Sequence, residues 1–193
     1  MGGAPLFSIK RGEGNEKEAE AILGNSVTLL VIFGLCLTVV GLIVKRPLLY
    51  LLGASENTIE YANSYITIYL LGNVFVMMSL GLNSFINAQG FGKTGMFTVV
   101  IGAVLNIILD PIFISGFGMG AAGAAIATTI GNIMASVYYL WYFCRKSRNM
   151  SMAFRYFKCG DRILSQVCSA GLPTAIFSAL MSISTIILNQ ILV

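Results

Sequence analysis

Apolar stretches separated by short polar or glycine-rich breaks set the plan of this chain. Met1 to Gly24 is polar and glycine-bearing, with Lys10, Arg11, Glu13, Glu16, Lys17, Glu18 and Glu20, and predicts a water-exposed connector with a short amphipathic helix around Glu16 to Leu23. Val27 to Val44 is about as long as a bilayer crossing requires, and Lys45-Arg46-Pro47 is expected to end it. A short helix, Leu48 to Leu52, and the turn Gly53-Ala54-Ser55 lead to Glu56–Glu60, an acidic first turn for the next helix. The second span, about Ile59 to Ala88, is the more polar one. Gly90-Phe91-Gly92-Lys93-Thr94-Gly95 turns into a third run, Met96 to Phe117, and Gly116-Phe117-Gly118-Met119-Gly120 turns into a fourth that ends near Phe143. Arg145 to Arg162 is a basic loop or surface helix carrying Arg145, Lys146, Arg148, Arg155, Lys158 and Arg162. A fifth apolar run follows from Ile163 to Val193, in which Gly171-Leu172-Pro173 either marks the first turn of the span or kinks it.

Composition turns this pattern into a fold class. The chain is 56% hydrophobic and 10% charged, with mean hydropathy +0.83, against about 25% charged in an ordinary soluble domain. An all-α, polytopic membrane helix bundle of about five spans is expected. The opening residues are mixed and predict no signal peptide, so insertion is expected to rely on the hydrophobic segments themselves. The polar connector (1–24), four spans (25–143), basic loop (144–162) and start of a further helix (163–193) make up its parts. Cys36, Cys144, Cys159 and Cys168 lack CxxC spacing and there is no His, which leaves zinc and haem readings without ligands. The basic residues lie in loops flanking apolar runs rather than on an aromatic-bearing face, which argues against nucleic acid as a partner. They instead predict orientation: with five spans, all but Lys45 and Arg46 fall on one side, so the N-terminus and the 145–162 loop are expected in the cytoplasm.

One residue conflicts with this apolar plan. Asp110 is the only charge in the third run, and an ionised carboxylate in hydrocarbon costs roughly 2.5 to 3.5 kcal/mol even on a lenient scale. It should therefore face a protein interior or a wet cavity and take a proton or a cation. Asn106 lies four residues earlier, on the same helical face. Pro111 cannot donate to the carbonyl of Ile107 and disfavours helical geometry at Asp110, which predicts a bend with a freed carbonyl beside the carboxylate. These hard oxygens suit a small cation or a proton; the plainer alternative is a buried Asp hydrogen-bonded to a neighbouring helix for packing alone. Thr128 and Asn132, four apart on the fourth span, are candidates to share the same cavity. In the second span Tyr65 and Tyr69, and Asn83 and Asn87, pair at helical spacing; interfacial tyrosines and interhelical amides explain them as well as a cavity lining does.

Gly118-Met119-Gly120-Ala121-Ala122-Gly123 fits GxGxxG, but the preceding run is too long for a strand and no acidic residue follows about 20 positions on, so a dinucleotide site is rejected. The small residues fit close helix approach instead. No Ser or Cys has a nearby base and no carboxylates pair in the membrane, so an enzyme is not expected.

The segments PLFSIKRGEG…EAEAILGN, NAQGFGKTGM, LNIILDPIFISGFGMGAAGAAIATT and the GLP of the fifth run resemble, together, the multidrug and toxic compound extrusion (MATE) family of bacterial efflux pumps. The resemblance covers essentially the whole chain, from the end of helix 2, within 1–24, through helix 7 of a twelve-helix, two-lobed transporter, and implies an incomplete N-lobe, with 163–193 the start of the second lobe, and a truncated product. It implies secondary active efflux of amphipathic or cationic compounds by alternating access in the bacterial cell membrane, coupled to Na⁺ or H⁺ with no other cofactor. The partners would be those small molecules, membrane lipids and the missing helices. In archaeal and related members the ion site unites an Asp on helix 1 with an Asn and an Asp one turn apart on helix 5 and a Thr on helix 6. Asn106, Asp110 and Thr128 stand where the last three would, and would hold Na⁺ if coupling is to sodium; the helix 1 partner has no counterpart here. Tyr65, Asn83 and Asn132 would face the substrate cavity, and Pro111 and Pro173 would bend their helices. A flippase for lipid-linked or polysaccharide intermediates is the alternative, though it calls for a basic cavity. A product without function is the third possibility.

Overall fold

The computed structural model describes residues 2–145 and 162–192, and every regular element among them is helical. In chain order these are α1 (Gly3–Gly12), α2 (Glu16–Leu51), α3 (Ile59–Leu71), α4 (Asn73–Ala88), α5 (Gly92–Pro111), a π-helical turn (Ile112–Gly116), α6 (Gly120–Arg145) and α7 (Arg162–Leu192). Among the described residues four helices are long and apolar enough to cross a membrane, five when the bent pair α3–α4 is counted as one span. Large apolar side chains lie exposed along α2, α5 and α7, among them Ile43, Val99, Ile107 and Phe177. Bare apolar faces of this extent fit lipid or further helices, not water.

The N-terminal segment departs from the expected connector. Gly3–Gly12 is a helix with Gly3, Ala4 and Phe7 buried, and the Glu16–Leu23 helix is the first two turns of α2 rather than a separate piece. The reason is close approach. A Cβ added at Gly2 would fall on the backbone of Gly171 in α7, and one at Gly3 on the Ser26 hydroxyl of α2, so small residues that suggest a loose linker in sequence are contact points in space. Phe7 meets Phe85 edge-on, ring centroids 5.5 Å apart, and the Ser8 hydroxyl donates to the Ala88 carbonyl at the end of α4. Asn15 caps α2: its side-chain oxygen accepts from the Glu18 N–H at 3.3 Å while its amide donates to the Glu18 carboxylate at 2.7 Å. Lys10 pairs with Glu13 and Glu18, at 3.1 and 3.4 Å. Hydrogen bonding to Glu13, then to Glu18, holds its ammonium charged above the usual lysine range. The main buried cluster, including Phe7, Ile22, Leu23, Leu82, Phe85, Ile86, Tyr139 and Phe143, gathers at this end of the bundle.

Three further expectations change. Lys45-Arg46-Pro47 does not end the first span; α2 runs through Pro47 to Leu51, with Leu49 buried beyond it. Pro47 therefore costs one hydrogen bond that the packed helix tolerates. The expected Leu48–Leu52 helix is its last turn. The fifth run starts earlier than a first-turn proline would allow, because Pro173 lies inside α7, which begins at Arg162. The basic residues Lys146, Arg148, Arg155 and Lys158, with Cys159, lie outside the described residues; Cys36 and Cys168 are exposed free thiols.

The second span is broken. α3 and α4 meet at Gly72 with a bend of 56°, and the groups that a break exposes are taken up by α2. The Thr38 hydroxyl donates to the Leu70 carbonyl at 2.9 Å, and the Asn73 amide donates to the Gly34 carbonyl at 3.2 Å. Gly72 has ordinary helical φ and ψ of −83° and −5°, so glycine is required there for space. A Cβ would sit 2.5 Å from Thr129 Cγ2 on α6. We expect Gly72→Ala to lower stability by about 1–3 kcal/mol, and Thr129→Ala in the same chain to recover most of the loss. Thermal unfolding in detergent checks both, and an unimpaired Gly72→Ala chain would refute this account of the break.

Candidate functional site

The site forms where α5 lies against α6. Thr98, Gly102, Asn106 and Asp110 recur every four residues along α5, and Thr128 and Asn132 do so on α6. Glycines bring the two helices together: a Cβ at Gly131 would lie 3.4 Å from the Asn106 side-chain oxygen and 3.7 Å from the Gly102 carbonyl. A cavity of about 280 Å³ opens between them and α4, with Ser79, Thr98, Asn106, Thr128, Asn132 and Tyr139 as its polar lining. Among the described residues no Lys or Arg lines it. The Asn132 amide donates to the Thr128 carbonyl at 2.9 Å and the Thr98 hydroxyl to the Thr94 carbonyl at 2.9 Å. The Asn106 side-chain oxygen, by contrast, is buried and has no hydrogen-bond partner among the described residues.

Asp110 is in the same condition one turn further on. Its Oδ1 is shut off from solvent without a partner, and among the described residues the only ion pairs belong to Lys10. Asp110 does not share the cavity lined by Asn106, Thr128 and Asn132. The physical reason is helical pitch: four residues overshoot a 3.6-residue turn by about 40°, so each step along the stripe rotates away from α6. Nor does Pro111 unwind the helix at Asp110. Both residues stay in α5, Pro111 with φ −63° and ψ −34°, and the irregularity appears just after it as the π turn. There the Phe117 N–H donates to the Ile112 carbonyl at 2.9 Å and the Met119 N–H to the Phe113 carbonyl at 3.1 Å. The irregularity thus begins two residues after Asp110, where the Phe117 N–H closes a wider i→i+5 ring on the Ile112 carbonyl.

Two residues assigned to the cavity lie elsewhere. The Tyr65 ring stacks on Tyr69, centroids 6.2 Å apart, and is not among the cavity residues. Asn83 acts one shell back: its amide donates to the Tyr139 hydroxyl at 2.6 Å and the Gly95 carbonyl at 3.2 Å, while its oxygen accepts from the Asn87 amide at 2.7 Å. It ties α4 to both α5 and α6 and fixes the tyrosine that walls the cavity. Sequence reasoning missed Ser79, Thr98 and Tyr139. The four-residue spacing of Thr98, Gly102 and Asn106 carried a signal for one of them; nothing local marked the other two. Tyr139→Phe should cost about 1 kcal/mol by removing one hydrogen bond and leaving a buried amide short of an acceptor. A thermal midpoint unchanged from wild type would show that the bond contributes nothing.

The MatE family model matches residues 1–112, more than half of the chain. The chain belongs to the MatE family. Multidrug export protein MepA of Staphylococcus saprophyticus is 29% identical over 192 residues, which is 100% of this chain and 43% of MepA. A multidrug resistance MATE family transporter of the MOP superfamily, solved in an outward-facing conformation, superposes with TM-score 0.89 at 27% identity, over 98% of this chain and 42% of that one. An inward-facing structure of such a transporter superposes with TM-score 0.82 at 28% identity, over 89% of this chain and 39% of that one. This MatE chain therefore spans about two fifths of the length of the relatives it matches, and it is a multi-pass membrane protein.

In this MatE chain Asn106 and Asp110 each leave a buried side-chain oxygen without a partner among the described residues. Among those residues no three of His, Cys, Asp and Glu gather.

Proposed function

We propose that this chain forms part of a secondary active exporter that expels amphipathic, often cationic, compounds by alternating access, driven by inward flow of Na⁺ or H⁺. The observation that carries this reading is the pair of buried oxygens on Asn106 and Asp110, one helical turn apart, neither with a partner among the described residues, with Asn106 on the lining of a polar cavity. In this reading the two residues, one helical turn apart, would share the guest: a proton carried on Asp110 would be offered to the Asn106 oxygen, or a Na⁺ would draw lone pairs from both. Either guest would neutralise the carboxylate. Thr128, on the same cavity lining as Asn106, would offer its hydroxyl to a cation on the Asn106 side, and Asn132 would meet the transported compound. Neutralising Asp110 changes the cost of burying it, and the π turn that follows is the natural place for α5 to respond.

The similarity to a multidrug export protein and to transporters solved inward-facing and outward-facing supports the reading. The absence of Lys and Arg from the cavity lining favours neutral or cationic cargo over phosphate-bearing lipid intermediates. The remaining helices of the transporter would be its structural partners. The charge pattern supports insertion in a bacterial cell membrane with the N-terminus and the 145–162 loop on the cytoplasmic side.

Proteoliposomes containing the full-length transporter, loaded with a fluorescent cationic dye, test the proposal. Dye should leave when a Na⁺ or H⁺ gradient is imposed. Equal dye movement with and without either gradient would overturn it.

A further inference from the structure

A second polar cavity, of about 390 Å³, lies between the C-terminal end of α2 and the start of α3, and it includes Arg46, Tyr50, Glu60, Asn63 and Ser64. Its charges are opposite in sign yet unpaired: among the described residues neither Arg46 nor Glu60 has an ionic partner within 4.0 Å. The Asn63 side-chain oxygen is buried and has no hydrogen-bond donor. Lys45, next along the helix, is already committed to the Thr67 hydroxyl at 2.6 Å. The cavity is thus lined by a cation on α2 and a carboxylate on α3, neither with an ionic partner among the described residues, and by Asn63 beside them.

Its surroundings say where a guest would come from. Ile43, Leu51 and Tyr61 nearby are 75%, 62% and 68% exposed, and Tyr50 and Tyr61 are the residues that settle at a membrane–water boundary. The polar cavity therefore sits at the end of an apolar span, level with lipid headgroups.

We propose that this cavity binds the headgroup of a zwitterionic phospholipid bearing a primary ammonium, of the phosphatidylethanolamine type. Arg46 holds the phosphate as a charge-assisted pair. The ammonium donates to the exposed Glu60 carboxylate, and the acyl chains lie along the exposed face of α2. A trimethylated ammonium has no N–H to donate and a glycerol headgroup has no cation, so phosphatidylcholine and phosphatidylglycerol each lose half of the recognition. The site stands apart from the α5–α6 cavity and does not depend on the transport reading.

Lipid competition on the chain purified in detergent tests this directly. Equimolar phosphatidylethanolamine, phosphatidylcholine and phosphatidylglycerol are offered and the retained lipids counted by native mass spectrometry. Phosphatidylethanolamine should be retained over the other two by roughly tenfold, and Glu60→Gln and Arg46→Gln should each bring that ratio close to one. Both side chains are exposed, and the wild-type preference is decisive even where a variant fails to fold. Equal retention of phosphatidylethanolamine and phosphatidylcholine, or a preference for phosphatidylglycerol, overturns the proposal. Complete displacement of lipid by soluble glycerophosphoethanolamine at equal concentration would also overturn it, by showing a site for a free zwitterion that gains nothing from acyl chains.

Discussion

Asp110→Asn in the full-length transporter is expected to abolish gradient-driven export while leaving the protein folded in the membrane. Asn matches Asp in size and removes the one carboxylate in α5, so the packing cost is small and what disappears is the capacity to change charge. A coupling ion with no preference between two conformations shifts neither, and dye efflux should fall to that of gradient-free vesicles. Asn106→Ala makes a graded companion. It removes one of two orphan oxygens and keeps the carboxylate, so the ion concentration for half-maximal export should rise about tenfold, the effect of one lost polar contact. Efflux by Asp110→Asn that still follows an imposed ion gradient would show that coupling lies elsewhere.

The second large effect is expected at Gly123, where α6 crosses the π turn. A Cβ there would lie 2.8 Å from the Phe113 carbonyl carbon and 2.9 Å from its oxygen. These are backbone atoms, and the oxygen already accepts from the Met119 N–H, so no side chain can swing aside. Gly123→Ala must push the helices apart, at about 1–3 kcal/mol, or roughly 2–10 °C in thermal midpoint for a chain of this size. The displaced segment is the one directly after Asp110, so export by the full-length protein should fall as well. Gly102→Ala is the matched control: a Cβ there meets nothing within 4 Å, and its stability should be unchanged or slightly raised. Equal behaviour of the two variants would remove the crossing from the account.

Much of the architecture was legible in the residues because the signals are local. Runs such as Val27–Val44 and Met96–Phe117 are apolar over the thickness of a bilayer, and hydrocarbon allows a backbone little but helix there. Asp110 was conspicuous for the same reason, a charge where charge is expensive. The break at Gly72 was not legible, because Gly72 has unexceptional dihedral angles and matters only through Thr129, which is distant in the chain. Asn83 and Asn132 look alike in sequence, each a polar residue at helical spacing, yet one ties three helices together and the other lines a cavity.

The sequence by itself determined that this is a helical membrane protein with one acid and one amide a turn apart in its third apolar run, since hydropathy and charge are properties of single segments. The tertiary structure alone decided that Gly3–Gly12 packs instead of dangling, that Pro111 shifts the irregularity past Asp110, and that Asn106, Thr128 and Tyr139 meet around one space while Tyr65 does not. Those outcomes depend on which small residues let two helices approach and which carbonyls find a donor across the gap, and neither is a property of any one helix.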